Sequence, residues 1–246
     1  MGYSSLTEKD MAKLKELSIF FPFWNEEKNI ERVVKSAIPV AEKYAQKWEI
    51  IMVDDGSGDH TRDLAEKLAK THKNLRVVSH TPNIGYGSAL KEGFLNAKYG
   101  VTVFTDGDAQ FDFSEIYKFI DLIQDADIVI GYRKKRRDSY GRHILMHLLK
   151  IWDYLFFRFY YRDIDCGFKM FKKEALEKIM PLRSDGAMIT TEILAKAKKK
   201  KLIIKEVEVE HYPRKYGTQT GANVSVVVRA ILESFILWWD IKNSRF

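Results

Sequence analysis

The sequence has a single cysteine, Cys166, among its 246 residues. One cysteine excludes an intrachain disulfide and a cysteine-based zinc site, and it is consistent with a reducing compartment. The first residues lack the apolar core of a signal peptide, and Leu6 stands where a myristoylation signal has Ser or Thr. The most apolar segment, residues 144–161, contains charged residues and lacks the roughly 18 uncharged residues of a membrane span. We therefore expect a cytoplasmic protein.

Internal repeats, low-complexity segments and linkers are also missing, so a single domain over residues 1–246 is the simplest organisation. The hydrophobic content of 46% and charged content of 30% are typical of a globular protein. The formal charge of +7 suits phosphate-bearing ligands, nucleic acid or an anionic membrane, without choosing among them. Nucleic acid is the least favoured, because the basic segment 133–142 offers mainly one interleaved aromatic, Tyr140.

Apolar runs and amphipathic segments alternate along the first half of the chain. Strand-like runs, separated by helical segments with short connections, lie at 17–21, 49–53, 75–79, 101–105 and 126–131. This alternation predicts a mostly parallel α/β sheet with helices on both faces. Ligands of such sheets bind at the carboxyl ends of the strands, near the point where strand order reverses. Three of these ends carry distinctive polar residues, at 22–26, 54–57 and 106–108.

The ends of the chain and its second half have other patterns. Residues 1–16 are polar and predict a short leading helix or a loose arm. The second half predicts a turn entering a strand at 163–171, followed by two helices at 173–180 and 185–199. A strand at 202–209, a loop at 211–217 and a closing amphipathic helix at 223–242 complete it.

Asp106 and Asp108 follow the strand run Val101–Thr105, with a glycine between them. Two carboxylates at a strand end can converge on one Mg²⁺ or Mn²⁺ ion, which prefers oxygen ligands and leaves positions for substrate phosphates. The alternative is an acidic loop that caps the next helix, since Asp112 with Glu115 forms a plausible helix start. The clustering of polar residues at three strand ends favours the metal interpretation.

Seven short motifs occur in order along the chain, at Pro22–Glu27, Val53–Ser57, Asn83–Gly85, Asp106–Gln110, Gly131–Arg133, Asp165–Phe168 and Arg214–Gly217. Together they resemble the family-two inverting glycosyltransferases of the GT-A fold, over roughly residues 17–220. Within that family the chain looks most like the branch of dolichyl-phosphate mannose synthase and bactoprenyl-phosphate glucosyltransferase. The resemblance implies a nucleotide-sugar and metal-binding half at 17–131, an acceptor half at 132–220 and a C-terminal amphipathic helical elaboration at 221–246.

The resemblance also implies roles for individual residues. Nucleotide-sugar binding falls to Pro22, Trp24, Glu26, Asp54, Asp55, Gly85, Asp106 and Gly107. Mg²⁺ or Mn²⁺ would bridge the donor diphosphate to Asp106 and Asp108, with Gln110 as a further ligand. Phosphate oxygens would be bound by the guanidinium groups of Arg133, Arg142 and Arg214.

Catalysis is expected from Asp108, Asp165 and Arg214. An alcohol acceptor needs a general base, whereas a lipid phosphate is already an oxyanion and needs little or none. Asp165 is the obvious base if one is used, or else belongs to a structural turn. Glu192 is the second carboxylate to consider, and a helix-surface or capping acid is an equally good interpretation of it.

The branch implies a nucleotide-sugar donor and a polyprenyl or dolichyl phosphate acceptor at the cytoplasmic membrane face. The aromatic segment 144–161 and the helix 224–239 could then lie in the membrane interface, with a separate anchor subunit or a homo-oligomer as further possibilities. Burial of both segments in the core or a dimer contact is the alternative. Two rival functions are a soluble glycosyltransferase that extends a saccharide hydroxyl and a non-catalytic nucleotide-sugar-binding subunit.

Overall fold

The computed structural model describes residues 13–134, 154–217 and 224–243, with the backbone alone for 224–232. Its strands are β1 Leu14–Phe23, β2 Ala45–Asp55, β3 Leu75–His80, β4 Val101–Thr105, β5 Ile128–Arg133, β6 Phe168–Lys172 and β7 Ile204–Val209. Its helices are α1 Ile30–Tyr44, α2 Thr61–Thr71, α3 Tyr86–Asn96, α4 Ile116–Ile123, α5 Lys173–Ile179, α6 Ile189–Lys199 and α7 Val224–Lys242. Residues 154–157 are also helical, and a 3₁₀ turn, Phe113–Glu115, precedes α4.

The seven strands of the described ranges form one sheet in the order β3-β2-β1-β4-β6-β5-β7. All neighbouring pairs are parallel except β4 with β6 and β5 with β6, which are antiparallel. The mostly parallel sheet is therefore confirmed. Strand order reverses between β1 and β4, so the crevice beyond their carboxyl ends is the expected place for a ligand.

Both faces of the sheet are covered, as the sequence predicts. Adjacent residues of β1 point to opposite faces, so Phe21 packs with Val34 of α1 and Phe119 of α4, while Phe20 packs with Leu90 of α3. A strand that is buried on both faces reads as a continuous apolar run rather than an alternating one. This explains the run of large apolar side chains in β1.

Several predicted boundaries are wrong by a few residues. Residues 14–16 belong to β1 rather than to a leading arm, because Leu14 is buried and pairs with Ala45 of β2. Helix α1 begins at Ile30, since residues 25–29 form a turn that reaches the end of β2. Helix α6 begins at Ile189 instead of residue 185, because residues 184–186 pack against α3.

Membrane-crossing helices are absent from the described residues, in which no helix combines the required length and apolarity. Of the segment 144–161, residues 144–153 lie outside the described ranges.

Candidate active site

The carboxyl ends of β1 and β2 are tied together by a short turn. The Asn25 N–H donates to Ser57 Oγ at 2.9 Å, and the Gly58 N–H donates to Asn25 Oδ1 at 2.8 Å. One residue on, the Glu26 N–H donates to Thr61 Oγ1 at 2.8 Å. Asn25 adopts a left-handed conformation with φ of 54°, which turns the chain so that the buried Glu26 side chain faces the crevice.

The ends of β1 and β4 lie in direct contact. A Cβ at Gly107 would overlap the ring of Phe23 and the carbonyl oxygen of Pro22, so a glycine is needed for this approach. Trp24 follows at the rim with 41% of its surface exposed. The structure thus places three predicted donor-site residues, Pro22, Trp24 and Gly107, around one edge of the sheet.

Asp106 and Asp108 stand at this edge, directly after β4. The Tyr86 hydroxyl donates to Asp106 Oδ1 at 2.8 Å, and the Gln110 N–H donates to Asp108 Oδ1 at 3.1 Å. Gly167 packs against Asp106: the Asp106 N–H donates to the Gly167 carbonyl at 3.1 Å, and a Cβ at Gly167 would overlap the Asp106 carboxylate. These contacts hold both carboxylates at the strand end.

Burial has the largest effect on the pKa of both carboxylates, and it outweighs the cations near them. Burial raises the pKa of Asp106. The pKa of Asp108 is raised to about 7, mainly by burial and secondly by the charge of the neighbouring Asp106. Such an oxygen donor pair suits a hard divalent cation, which would restore the ionised form of both groups. Within the described ranges no group of three or more His, Cys, Asp or Glu side chains could hold a metal, so this pair would supply two ligands.

Arg214 joins this site from the loop after β7. Its Nη2 atom pairs with Glu26 Oε1, and its Nη1 atom lies 3.6 Å from Asp108 Oδ2. The Glu26 carboxylate also accepts from Asn29 Nδ2 at 2.6 Å, and burial raises the pKa of Glu26. Two residues that are 188 positions apart in the sequence, Glu26 and Arg214, therefore belong to one site.

Gln110 connects the acidic edge to the loop 211–217. Its Nε2 donates to the Tyr212 carbonyl at 2.9 Å, and its own carbonyl accepts from the Tyr212 N–H at 2.8 Å. The side chain is buried, with its amide nitrogen used by the loop. The role of Gln110 as a metal ligand stays a prediction. Its amide oxygen would be the ligand atom, because the amide nitrogen donates to Tyr212.

Asp54 and Asp55, at the end of β2, are both buried. The Asp55 carboxylate accepts from Asn83 Nδ2 at 2.8 Å and from the backbone of Ile84 and Gly85, each at 3.1 Å. Asp54 accepts from the Ser57 N–H at 3.3 Å. Asp55 thus shapes the loop 83–85. The contacts of Asp54 and Asp55 to the base or ribose stay predictions.

Gly85 and Gly87 permit a close backbone approach by the segment 184–186. A Cβ at either position would lie 2.5 Å from a carbonyl oxygen, that of Asp185 for Gly85 and that of Ser184 for Gly87. The Gly87 N–H donates to the Asp185 carbonyl at 2.8 Å. The glycines therefore seat the segment 184–186 against the start of α3.

The predicted phosphate-binding arginines have different surroundings. Arg133 makes a two-pronged ion pair with Asp163, with Nε to Oδ2 at 2.6 Å and Nη2 to Oδ1 at 2.8 Å. It is near enough to lower the pKa of Asp106, although burial of that carboxyl outweighs it. Arg142 lies outside the described residues. Arg214 is the one whose guanidinium the structure places directly against the acidic pair.

The two candidate bases also differ. Asp165 is exposed and lies two residues before Gly167. Glu192 is fully buried: its oxygens accept from the backbone of Arg183 and Ser184 at 2.8–3.0 Å, and Lys196 lies 2.8 Å away. The expectation of a helix-surface acid for Glu192 is wrong, because the residue is an internal anchor for the segment before α6.

Sequence reasoning missed two residues of the site. The Tyr86 hydroxyl donates to Asp106, and its signal was its place directly after the motif Asn83–Gly85. Lys169 is fully buried, donates to the Cys166 carbonyl and acts electrostatically on Asp106. Its signal was a lysine inside the apolar run of β6, a position that a merely solvated lysine does not take.

Comparison with known proteins identifies chains that are similar to this one. Residues 18–180 match the model of the family described as Glycosyl transferase family 2. The chain is 31% identical to dolichyl-phosphate beta-glucosyltransferase of Saccharomyces cerevisiae, and the match covers 87% of this chain and 71% of that protein. It is 26% identical to dodecaprenyl-phosphate galacturonate synthase of Rhizobium johnstonii, over 91% of this chain and 67% of that protein.

Among solved structures, the chain is similar to glucosyl-3-phosphoglycerate synthase from Mycobacterium tuberculosis in complex with phosphoglyceric acid. The TM-score is 0.70 at 18% identity, and the match covers 91% of this chain and 80% of that one. Another structure of that enzyme, at a TM-score of 0.68, contains Mn²⁺, UDP-glucose and phosphoglyceric acid. This likeness shows the fold, and the family match shows the class. The chain belongs to glycosyl transferase family 2 and is a glycosyltransferase of the GT-A fold.

Proposed function

We propose that the protein is a metal-dependent inverting glycosyltransferase that moves a hexose from a UDP- or GDP-linked sugar to a polyprenyl or dolichyl phosphate at the cytoplasmic membrane face. The observation that carries the proposal is the meeting of Asp106, Asp108, Glu26 and Arg214 at the strand-order reversal. Residues 17–131 would bind the donor, 132–220 the acceptor, and 221–246 would form the C-terminal amphipathic element.

The donor diphosphate suits this edge of the sheet. Asp106 and Asp108 fit Mg²⁺ or Mn²⁺, which when bound would neutralise charge on the departing nucleoside diphosphate. The exposed ring of Trp24 offers a stacking surface for a base, beside the ends of β1 and β2. Arg214 supplies a guanidinium that binds phosphate oxygens in a bidentate manner and keeps its charge there.

A phosphate acceptor suits the remaining chemistry. The second ionisation of a phosphate monoester has a pKa of about 6, so at neutral pH the acceptor oxygen is already an anion. It can attack the anomeric carbon from the side opposite to the leaving diphosphate, which inverts the configuration in one displacement. Because Glu192 is bonded to the backbone of its own segment, an acceptor that needs no base fits best. The names of the yeast and Rhizobium relatives, both prenyl-phosphate sugar transferases, support the same acceptor class.

An exposed apolar surface supports the lipid acceptor. Large apolar side chains are exposed on two neighbouring segments, at Tyr154, Leu155, Tyr160, Phe235, Ile236 and Trp239. The segments are in contact, since the Phe156 ring packs edge-on against Phe235 and Trp238. Lys198 and Lys199, at the end of α6, line a cavity of about 360 Å³ together with Phe156 and Trp238. Exposed aromatics with flanking lysines are the combination that binds an anionic membrane surface.

A saccharide hydroxyl is the second candidate acceptor. The exposed carboxylate of Asp165 favours it, because Asp165 lies next to the Cys166–Gly167 segment that packs on Asp106, and it could act as a general base. Under this reading the enzyme extends a soluble glycan, and the transfer rate would depend on Asp165.

The test is the transfer of radiolabelled sugar from a panel of UDP- and GDP-hexoses, with Mn²⁺, to a short polyprenyl phosphate in detergent. Asp108→Ala should lower transfer by about 10³-fold or more, because charge stabilisation at the leaving group is lost. Asp112→Ala is the matched control, since it removes an exposed carboxylate four residues away that caps the 3₁₀ turn. Nucleotide-sugar binding without transfer to any lipid phosphate would refute the acceptor, and Asp165→Asn with saccharide acceptors would then be assayed.

A further inference from the structure

Arg214 lies among the carboxylates of the candidate site. Its guanidinium pairs with Glu26, lies 3.6 Å from Asp108 and exerts its charge on Asp106 as well. Three buried or half-buried carboxyl groups therefore share this one guanidinium as a neighbour. A divalent ion held by Asp106 and Asp108 would be drawn to the same carboxylate oxygens.

The loop 211–217 is shaped to bring the guanidinium to these carboxylates. Its first part is fixed by the two hydrogen bonds between Gln110 and Tyr212. Its second part folds around the arginine, because Arg214 Nε donates to the Tyr216 carbonyl at 2.8 Å. Gly217 has φ of +80°, and a Cβ there would lie 3.0 Å from Arg214 Nη2. A glycine at this position allows the side chain to fold back along its own loop.

We propose that Arg214 stands in for the divalent cation when the site holds no metal, so that Arg214 and the metal compete for Asp108. This rests on the proposed function, since it takes Asp106 and Asp108 as the metal ligands. Two cations next to one carboxylate repel each other, so metal binding displaces the guanidinium from Asp108. The diphosphate of a donor then gives the released guanidinium a new partner. The loop is thereby coupled to the order in which metal and nucleotide bind.

The test measures Mn²⁺ binding in the absence of nucleotide, by electron paramagnetic resonance of the free ion. Arg214→Gln should bind Mn²⁺ about tenfold more tightly than wild type, because the competing cation is gone, and this lies within the usual range of coupling between sites. Lys215→Gln is the matched control, since it removes one positive charge from the exposed neighbouring position of the same loop. Asp108→Asn should lose the binding.

Nucleotide binding should respond in the opposite direction. With UDP and Mn²⁺ both present, calorimetry should find that Arg214→Gln binds UDP about tenfold more weakly than wild type, since the guanidinium partner of the diphosphate is missing. In wild type, Mn²⁺ alone should speed hydrogen exchange of the amides of 211–217.

The competition is refuted if Arg214→Gln binds Mn²⁺ alone no more tightly than wild type, if Lys215→Gln tightens it equally, or if Mn²⁺ leaves the exchange of the loop unchanged. These readouts do not require sugar transfer. A protein that shows the Mn²⁺ competition but moves no sugar to lipid phosphate would contradict the acceptor and leave this inference standing. Transfer to lipid phosphate that persists in EDTA would contradict the metal competition and leave the acceptor standing.

Discussion

Two groups of charged side chains in the described residues, one around Glu192 and one around Asp108, differ in how fully they are neutralised. Glu192 receives backbone N–H bonds from Arg183 and Ser184 and an ion pair from Lys196, whose ammonium also donates to the Pro181 carbonyl. Asp108 receives one backbone N–H bond and a looser pair with Arg214 at 3.6 Å, and burial raises its pKa to about 7.

The difference separates a structural charge from a functional one. A buried ion with all its hydrogen bonds made inside the protein holds the fold and has little left for a ligand. A carboxylate pair whose pKa values are raised by burial is stabilised by a cation that binds to it, and such perturbed groups mark functional sites. The Glu192 side chain is fully buried, whereas the Asp108 side chain keeps 14% of its surface exposed. The larger difference is in the hydrogen bonds and ion pairs that each carboxylate receives from the protein.

The largest expected effect falls on the neutralised cluster. Glu192→Ala should lower the free energy of unfolding by about 3–5 kcal/mol, because it leaves Lys196 buried without its carboxylate and two backbone N–H groups without an acceptor. Urea denaturation measures the loss. Glu174→Ala, an acid in the first turn of α5, is the control and should stay within about 0.5 kcal/mol of wild type. A mild effect of Glu192→Ala on stability with a severe loss of transfer would remove the distinction between the clusters.

A smaller effect should come from pH, at the acidic pair. Asp108 has a folded pKa of about 7, above the value of about 3.9 for an unfolded Asp, so the unfolded chain binds fewer protons between these pH values. Stability in EDTA should therefore fall as pH rises from about 4 to about 7, by on the order of 2 kcal/mol relative to Asp108→Asn. Thermal denaturation across this range measures the difference. Parallel curves for wild type and Asp108→Asn would show that the folded pKa of Asp108 is not raised, and would contradict the prediction.

Gly167→Ala should change stability about as much as pH does, and it should also damage function. The new Cβ would overlap the Asp106 carboxylate and push it from its place, at a cost of about 1–3 kcal/mol from overpacking. We expect transfer to fall by about 10²-fold, because displacement of a positioned group by about 1 Å is enough for such a loss. Gly100→Ala is the control, since a Cβ there meets nothing within 4 Å. Equal activity of the two variants would show that the position of Asp106 is unimportant.

Local pattern was sufficient for much of the architecture. The β1 run, the polar ends at 22–26, 54–57 and 106–108, and the alternation of strands with helices predicted the parallel sheet and the edge at which the site lies. This works because buried strands must be apolar and because parallel strands present their carboxyl ends at one edge. The antiparallel insertion of β6 between β4 and β5 has no such local signature.

Partnership between distant residues was decided by the tertiary structure. The sequence predicted roles for Arg214, Glu26 and Asp108 from separate motifs, and the fold brings the three side chains together. It also turned Asp55 inward onto the loop 83–85, made Glu192 an anchor, and buried Lys169 behind Asp106. Periodicity reports which residues are buried, since burial depends on local spacing along a helix or strand. Which charge meets which is set by packing between segments far apart in the chain, and no local pattern encodes that choice.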